Sequence, residues 1–144
     1  MATKTKKLKG SFEFILAIDF ETTGLCFSGD IDAGHQAVSA GLIVADASTF
    51  KPIEELYCEI KWNEQSKATR KLDPNFGVKA EGIHGLTFDY LEKNGITEEE
   101  AVTKILNLII KYWGVKNAPR LLGHNVHLFD YKFLICCRME GFCT

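Results

Sequence analysis

The chain has 144 residues, of which 46% are hydrophobic and 25% charged, with a formal net charge of −2 at pH 7. These values are typical of one globular domain, and they exclude a protein that is basic over its whole surface. No apolar run approaches the roughly 20 residues of a membrane helix, and no apolar signal core follows the first lysines, so we expect a cytoplasmic protein.

The first ten residues predict a flexible basic tail, because they carry four lysines and little that can be buried. Residues 11–144 are then the folded domain. The chain has five cysteines with no CxxC pair: Cys26, Cys58, Cys136, Cys137 and Cys143. We interpret them as reduced thiols, with a disulfide or a zinc site as the less favoured alternative.

Three strands are predicted in the first half of the chain. Phe12–Phe20 is almost entirely apolar and indicates a central strand covered on both faces. Val38–Asp46 has the same character, whereas Leu56–Trp62 alternates apolar with polar residues and indicates a strand buried on one face. Short links between them predict an antiparallel meander in which the later strands approach a sheet edge.

Helices dominate the second half. A polar stretch precedes two short helices between residues 78 and 95, separated by a turn at Gly85. Thr97 and Glu100 have the spacing of a capping box, and the helix that follows ends at Gly114. A short buried strand, Leu121–Gly123, and a helix over residues 129–142 complete an α/β fold: a mixed sheet with a meander, one parallel strand and flanking helices.

Two carboxylates stand where the first strand ends, at Asp19 and Glu21. Residues two apart on a strand project to the same side, so both side chains point to one place. Two converging carboxylates repel unless a cation lies between them, and oxygen ligands favour Mg²⁺ or Mn²⁺. The alternative is that the strand simply ends and two surface acids begin a turn.

Three segments together resemble the DEDD family of 3′-5′ exonucleases, which includes the proofreading subunit of bacterial DNA polymerase III and RNase T. The segment "DFETTGL" is similar to the first motif of the family, "GIHGLT" to the segment between the first and second motifs, and "GHNVHLFDYKFL" to the second motif. The resemblance covers Phe12 to Leu134 and implies a ribonuclease H-like sheet.

By this resemblance, three carboxylates are the catalytic and metal-binding residues for two Mg²⁺ or Mn²⁺ ions: Asp19, Glu21 and Asp130. The resemblance also implies these substrate-binding residues: Phe20, Thr22, Thr23, Gly24, Leu25, His84, Asn125 and Phe129. Gly24 would let the backbone approach the terminal nucleotide. Taken alone, Asp130 is also consistent with an ordinary aspartate in the first turn of a helix, and Asn125 with a turn former. Neither His84 nor His124 is interpreted as the general base.

The third motif of the family has no match. It supplies a fourth carboxylate and a His or Tyr base, about 30 residues beyond the second motif by usual element lengths. No Asp follows Asp130, and Glu140 is the last acid. We therefore expect a sheet that lacks its C-terminal strand and helix, in a truncated or split exonuclease.

The resemblance implies two-metal hydrolysis of phosphodiester bonds at the 3′ end of single-stranded DNA or RNA, with DNA favoured, to nucleoside 5′-monophosphates. It implies a polymerase, or a complementary chain with the third motif, as a partner. Two alternatives remain: a non-catalytic nucleic-acid-binding module, favoured by the missing base, and a ribonuclease H-like nuclease that cuts internally.

Overall fold

The computed structural model describes residues 13–24 and 34–124. Its elements in chain order are β1 Phe14–Thr22, β2 Ala37–Asp46, β3 Pro52–Glu59, α1 Glu64–Leu72, α2 Val78–His84, α3 Phe88–Asn94, α4 Glu98–Trp113 and β4 Leu121–Leu122. The basic tail, four of the five cysteines and the helix over residues 129–142 are predictions that lie outside the described residues. Cys58 is buried and is not in a disulfide.

The four described strands form one mixed sheet in the order β3-β2-β1-β4. The strands β1, β2 and β3 pair antiparallel, and β4 pairs parallel to β1. This confirms the α/β class, the meander and the parallel strand. The third strand runs from Pro52 to Glu59 rather than Leu56 to Trp62, and a proline that cannot donate to the ladder is tolerated there because it begins an edge strand.

One face of the sheet carries the main core. The buried apolar residues of β1, Leu16, Ile18 and Phe20, pack with α4. The buried side chains of α4 are Ala101, Val102, Ile105, Leu108, Ile109 and Trp113. Thr97 caps α4 as expected, since its hydroxyl accepts a hydrogen bond from the Glu100 amide. Gly114 follows its last residue with φ 77°. At the end of α4, Trp113 is fully buried and Tyr112 is half-buried.

The other face of the sheet departs from the expectation for β1. Ile15 and Ala17 are half-buried and Asp19 is exposed, so within the described residues β1 is covered on one face only. Leu122 is also 49% exposed, so β4 is not the buried strand that its sequence indicated. Leu121 packs against the main core, and Leu122, the next residue of the strand, points to the opposite face of the sheet.

The helix α1 was not expected, because its segment has no apolar stripe. Asn63 caps it by accepting from the Ser66 amide at 2.8 Å, and Ser66 is its one buried residue. A second core cluster lies beside α1 and comprises Val38, Trp62, Phe76 and Leu91. None of the described helices is long and apolar enough to cross a membrane.

Candidate active site

Asp19 and Glu21 project from the face of β1 that α4 does not cover. They alternate with Ile18 and Phe20, which are 4% and 3% exposed inside the core. Asp19 is exposed and Glu21 half-buried. The two carboxylates therefore stand side by side near the end of the strand, whereas the Phe20 side chain lies on the opposite face and can meet a nucleotide only through its backbone.

A groove of about 500 Å³ runs across this face beside Asp19. In the strand register, Asp19 lies opposite Gly41, and Gly41 lies opposite Tyr57. Because Gly41 has no side chain, the floor of the groove between the acid and the aromatic ring is backbone. The remaining lining residues are Ala17, Ile18, Leu42, Ile43, Glu55, Leu56, Leu122 and Gly123.

The face is acidic. Glu55 and Glu59 of β3 alternate with core residues and share the face with Asp19 and Glu21. Burial raises the pKa of the Tyr57 phenol, and the negative charge of Glu59 adds to that shift. A polyanion approaches such a surface only when cations compensate the carboxylates.

The donor set fits a hard divalent cation. Mg²⁺ binds proteins through one or two carboxylates and completes its shell with water and substrate phosphate, which Asp19 and Glu21 allow. Within residues 13–24 and 34–124, no group of three His, Cys, Asp or Glu side chains has the geometry of a metal site. Asp130, the predicted third ligand, lies outside the described residues, as do Leu25, Asn125 and Phe129.

The pairing of β1 with β2 becomes irregular directly after Glu21. Glu21 lies opposite Ser39 but Thr22 lies opposite Ala37, so Val38 of β2 is the extra residue and the register shifts where the two acids end. Thr22 and Thr23 are 5% and 2% exposed. The Thr22 hydroxyl donates to the Gly24 carbonyl at 2.9 Å, and the Thr23 hydroxyl accepts from the Gln36 amide at 3.0 Å.

These bonds give both threonine hydroxyls a role within the chain, in holding the turn that follows the acids. Their expected contact with a nucleotide stays a prediction. Gln36 makes most of the hydrogen bonds around this turn. Its side chain donates to the carbonyls of Ala37 and Lys61 and accepts from the Asn63 amide. Nothing local in the sequence distinguishes Gln36, since all of its partners except Ala37 are distant in the chain.

Gly24 is packed against a histidine ring. A Cβ at this position would lie 2.4 Å from Cε1 of His35, so only glycine fits. The His35 ring stacks on Phe76 with centroids 4.7 Å apart and planes 18° apart, and burial lowers its pKa. The missing side chain at Gly24 thus makes room for the His35 ring. The close approach of a nucleotide to Gly24 stays a prediction. Sequence reasoning missed His35 and Phe76.

His84, at the end of α2, reaches the same turn. Its Nε2 lies 3.0 Å from the Thr22 carbonyl oxygen, and its Nδ1 accepts from the Leu86 amide at 3.0 Å. His84 is therefore placed against the turn, next to the predicted substrate-binding residues. His124, for which no catalytic role was expected, lies at the end of the described chain.

Neither a family model nor a curated protein matches the sequence. Among solved structures, E. coli exonuclease I in complex with a dT13 oligonucleotide is similar over 90% of this chain and 24% of that chain, with a TM-score of 0.64 and 20% identity. A product-bound structure of exonuclease I is similar over 90% and 26%, with a TM-score of 0.66 and 21% identity. A complex named ExoI/SSB-Ct is similar over 90% and 24%, with a TM-score of 0.62 and 19% identity.

The chain therefore shares its fold with the matched part of these exonuclease I structures, in agreement with the mixed α/β sheet that the resemblance implied. The chain spans about a quarter of the length of these exonuclease I chains.

Proposed function

We propose that this chain belongs to the DEDD family and is a metal-dependent 3′-5′ exonuclease acting on single-stranded DNA. The observation that carries the proposal is the pair Asp19 and Glu21, which share one face at the end of β1, beside a groove, in a fold shared with exonuclease I. The chance reading of D-x-E as two surface acids of a turn is disfavoured, because Asp19 lies within the sheet opposite Gly41.

In this proposal, Asp19 and Glu21 hold Mg²⁺ or Mn²⁺, with Asp130 as the third ligand. The ions supply Lewis acidity to the hydrolysis of a phosphodiester bond. The turn Thr22–Gly24 orients the 3′-terminal nucleotide, and its internal hydrogen bonds keep the backbone fixed before the strand arrives. The product is a nucleoside 5′-monophosphate.

Single-stranded DNA is the proposed substrate because solved complexes of exonuclease I contain dT13 and dA16 oligonucleotides. The groove supports this choice. Tyr57, 63% exposed, stands across Gly41 from Asp19 and offers a ring on which a base can stack. A polymerase or a complementary chain as partner, and a cytoplasmic location, remain predictions.

A digestion ladder tests the proposal. A single-stranded DNA labelled at its 5′ end is incubated in Mg²⁺ or Mn²⁺ with the chain, supplied with a segment that carries the fourth carboxylate and the base of the third motif. Asp19→Asn is tested beside the control Asp89→Asn, which removes an exposed carboxylate on α3. We expect products shortened stepwise from the 3′ end, lost in Asp19→Asn and retained in Asp89→Asn.

Other outcomes overturn the proposal in distinguishable ways. Binding of the strand without any ladder supports the non-catalytic module instead. Internal cuts support a ribonuclease H-like endonuclease, and a ladder that persists in Asp19→Asn places the chemistry elsewhere. A 5′-labelled RNA of the same sequence, digested in parallel, tests the preference for DNA.

A further inference from the structure

The two ring nitrogens of His84 have distinct partners, and these partners define its tautomer. The Leu86 amide is a donor, so Nδ1, 3.0 Å away, accepts and carries no proton. The proton of the neutral ring is then on Nε2, which donates to the Thr22 carbonyl at 3.0 Å. His84 therefore joins the end of α2 to a residue 62 positions earlier in the chain.

The carbonyl that His84 binds, that of Thr22, lies directly beside the second of the two paired acids. Thr22 directly follows Glu21, and the register of β1 with β2 shifts between them. The other hydrogen bonds of this turn join it to itself and to the two residues just before β2, His35 and Gln36. The bond from His84 ties the turn to the helical layer instead.

The helix α2, which carries His84, is held in place by contacts with Arg70 of α1. Arg70 of α1 pairs with Glu81 of α2 and donates from Nε to the Phe76 carbonyl at 2.8 Å. The Arg70 guanidinium also lies 4.3 Å from the centroid of the Trp62 ring, which is 3% exposed. An unbroken series of contacts thus runs from the second core cluster through α2 to the Thr22 carbonyl.

We propose that His84 is a positioning residue of the site: its Nε2–H holds the Thr22 carbonyl and so sets the path of the backbone between Glu21 and the predicted nucleotide-binding turn. The proposal rests on the proposed function, because it takes Glu21 as a metal ligand and the turn as the nucleotide-binding segment. It replaces direct binding of substrate by His84, because both ring nitrogens are already engaged within the chain.

The rival explanation is that His84 only stabilises the local turn between α2 and α3 through Leu86. Two substitutions separate the two contacts. In His84→Gln, the amide nitrogen reaches the place of Nε2 and still donates to Thr22. In His84→Asn, the amide oxygen takes the place of Nδ1 and still accepts from Leu86, but no donor reaches Thr22.

Two readouts are measured on the full chain, with His84→Ala as the complete deletion. Binding of a fluorescent single-stranded DNA in Ca²⁺ reports on the site, and hydrogen exchange of the Thr23 amide, which donates to the Gln36 carbonyl, reports on the turn. We expect His84→Asn and His84→Ala to weaken binding and speed exchange by about three- to tenfold, the effect of one hydrogen bond, and His84→Gln to restore both.

The opposite order, with Asn restoring and Gln not, supports a local turn and overturns the proposal. A long-range ¹H–¹⁵N NMR spectrum showing the proton on Nδ1 also overturns it. If the unmodified chain binds no DNA, the proposed function fails, and exchange at Thr23 together with the tautomer still decides whether His84 holds the turn.

Discussion

Asp19 lies directly opposite Gly41 in the antiparallel pairing of β1 with β2, and Gly41 in turn lies opposite Tyr57 of β3. The middle strand thus contributes no side chain between the exposed carboxylate and the exposed ring. A Cβ on Gly41 would meet only the Asp19 carbonyl oxygen, at an ordinary 3.6 Å. Packing alone does not require glycine at this position, and the missing side chain leaves the floor of the groove open.

Gly41→Val should lower the affinity for single-stranded DNA without lowering the free energy of unfolding. Valine suits a strand, so we expect the free energy of unfolding in urea to be unchanged or higher by about 1 kcal/mol. The added side chain fills the groove beside Asp19, and we expect the affinity for single-stranded DNA to fall by about tenfold, measured by fluorescence anisotropy. Unchanged affinity would show that the strand does not cross this groove.

Gly24→Ala should destabilise the fold, because its Cβ would lie 2.4 Å from the His35 ring. Displacing that ring disturbs its stacking on Phe76, and we expect a loss of about 1–3 kcal/mol in urea denaturation. The control is Gly82→Ala in α2, where nothing lies within 4 Å and we expect a gain of about 0.5–1 kcal/mol. Equal effects at the two positions would contradict the packing of His35 on Gly24.

Arg70→Lys should lower stability although the charge is kept. Lysine cannot stack flat on Trp62 while bonding both Glu81 and the Phe76 carbonyl. We expect a loss of about 1–2 kcal/mol by urea denaturation, against little change for the exposed neighbour in Lys71→Gln. If both variants behave alike, Arg70 does not brace α2.

Asp46 makes stability depend on acid pH. Hydrogen bonds from the Ser48 hydroxyl, the Thr49 amide and the Ser48 amide lower its pKa from 3.8 to about 2. The folded state therefore binds this proton more weakly than the unfolded state. The ionised carboxylate stabilises the fold above about pH 4, and this contribution is lost as the pH falls towards about 2.

Asp46→Asn removes that ionisation. We expect the urea midpoint of this variant to lie below that of the unmodified chain near neutral pH, with the difference shrinking between about pH 4 and pH 2. If the difference in urea midpoint stays constant over this range, the hydrogen bonds from Ser48 and Thr49 do not depend on the charge of the carboxylate.

The elements that the sequence predicted well are those whose own residues carry the sequence signals for that structure. The helix α4 combines a capping residue at Thr97, an apolar face and a glycine stop, and each of these is present in the structure. The helix α1 has a cap at Asn63 but no apolar stripe, because Ser66 is its one buried residue. Hydrophobic periodicity cannot reveal such a helix, since its packing is polar.

The site was predictable only in part, for a similar reason. The alternation of Asp19 and Glu21 with buried residues follows from strand geometry, which a sequence carries. The contacts of His35, Gln36 and His84 join positions far apart in the chain, near the place where the register of β1 with β2 shifts. Such a shift and the tertiary contacts around it have no local signature in the sequence.

Titration of Mn²⁺ into the chain by calorimetry measures whether Asp19 holds a divalent cation, on which the proposed exonuclease function depends. We expect saturable binding that Asp19→Asn weakens by about tenfold or more and that the matched control Asp89→Asn leaves unchanged. If the unmodified chain binds no Mn²⁺, or if Asp19→Asn binds it equally well, the paired carboxylates of β1 are not the metal site and the exonuclease assignment fails with them.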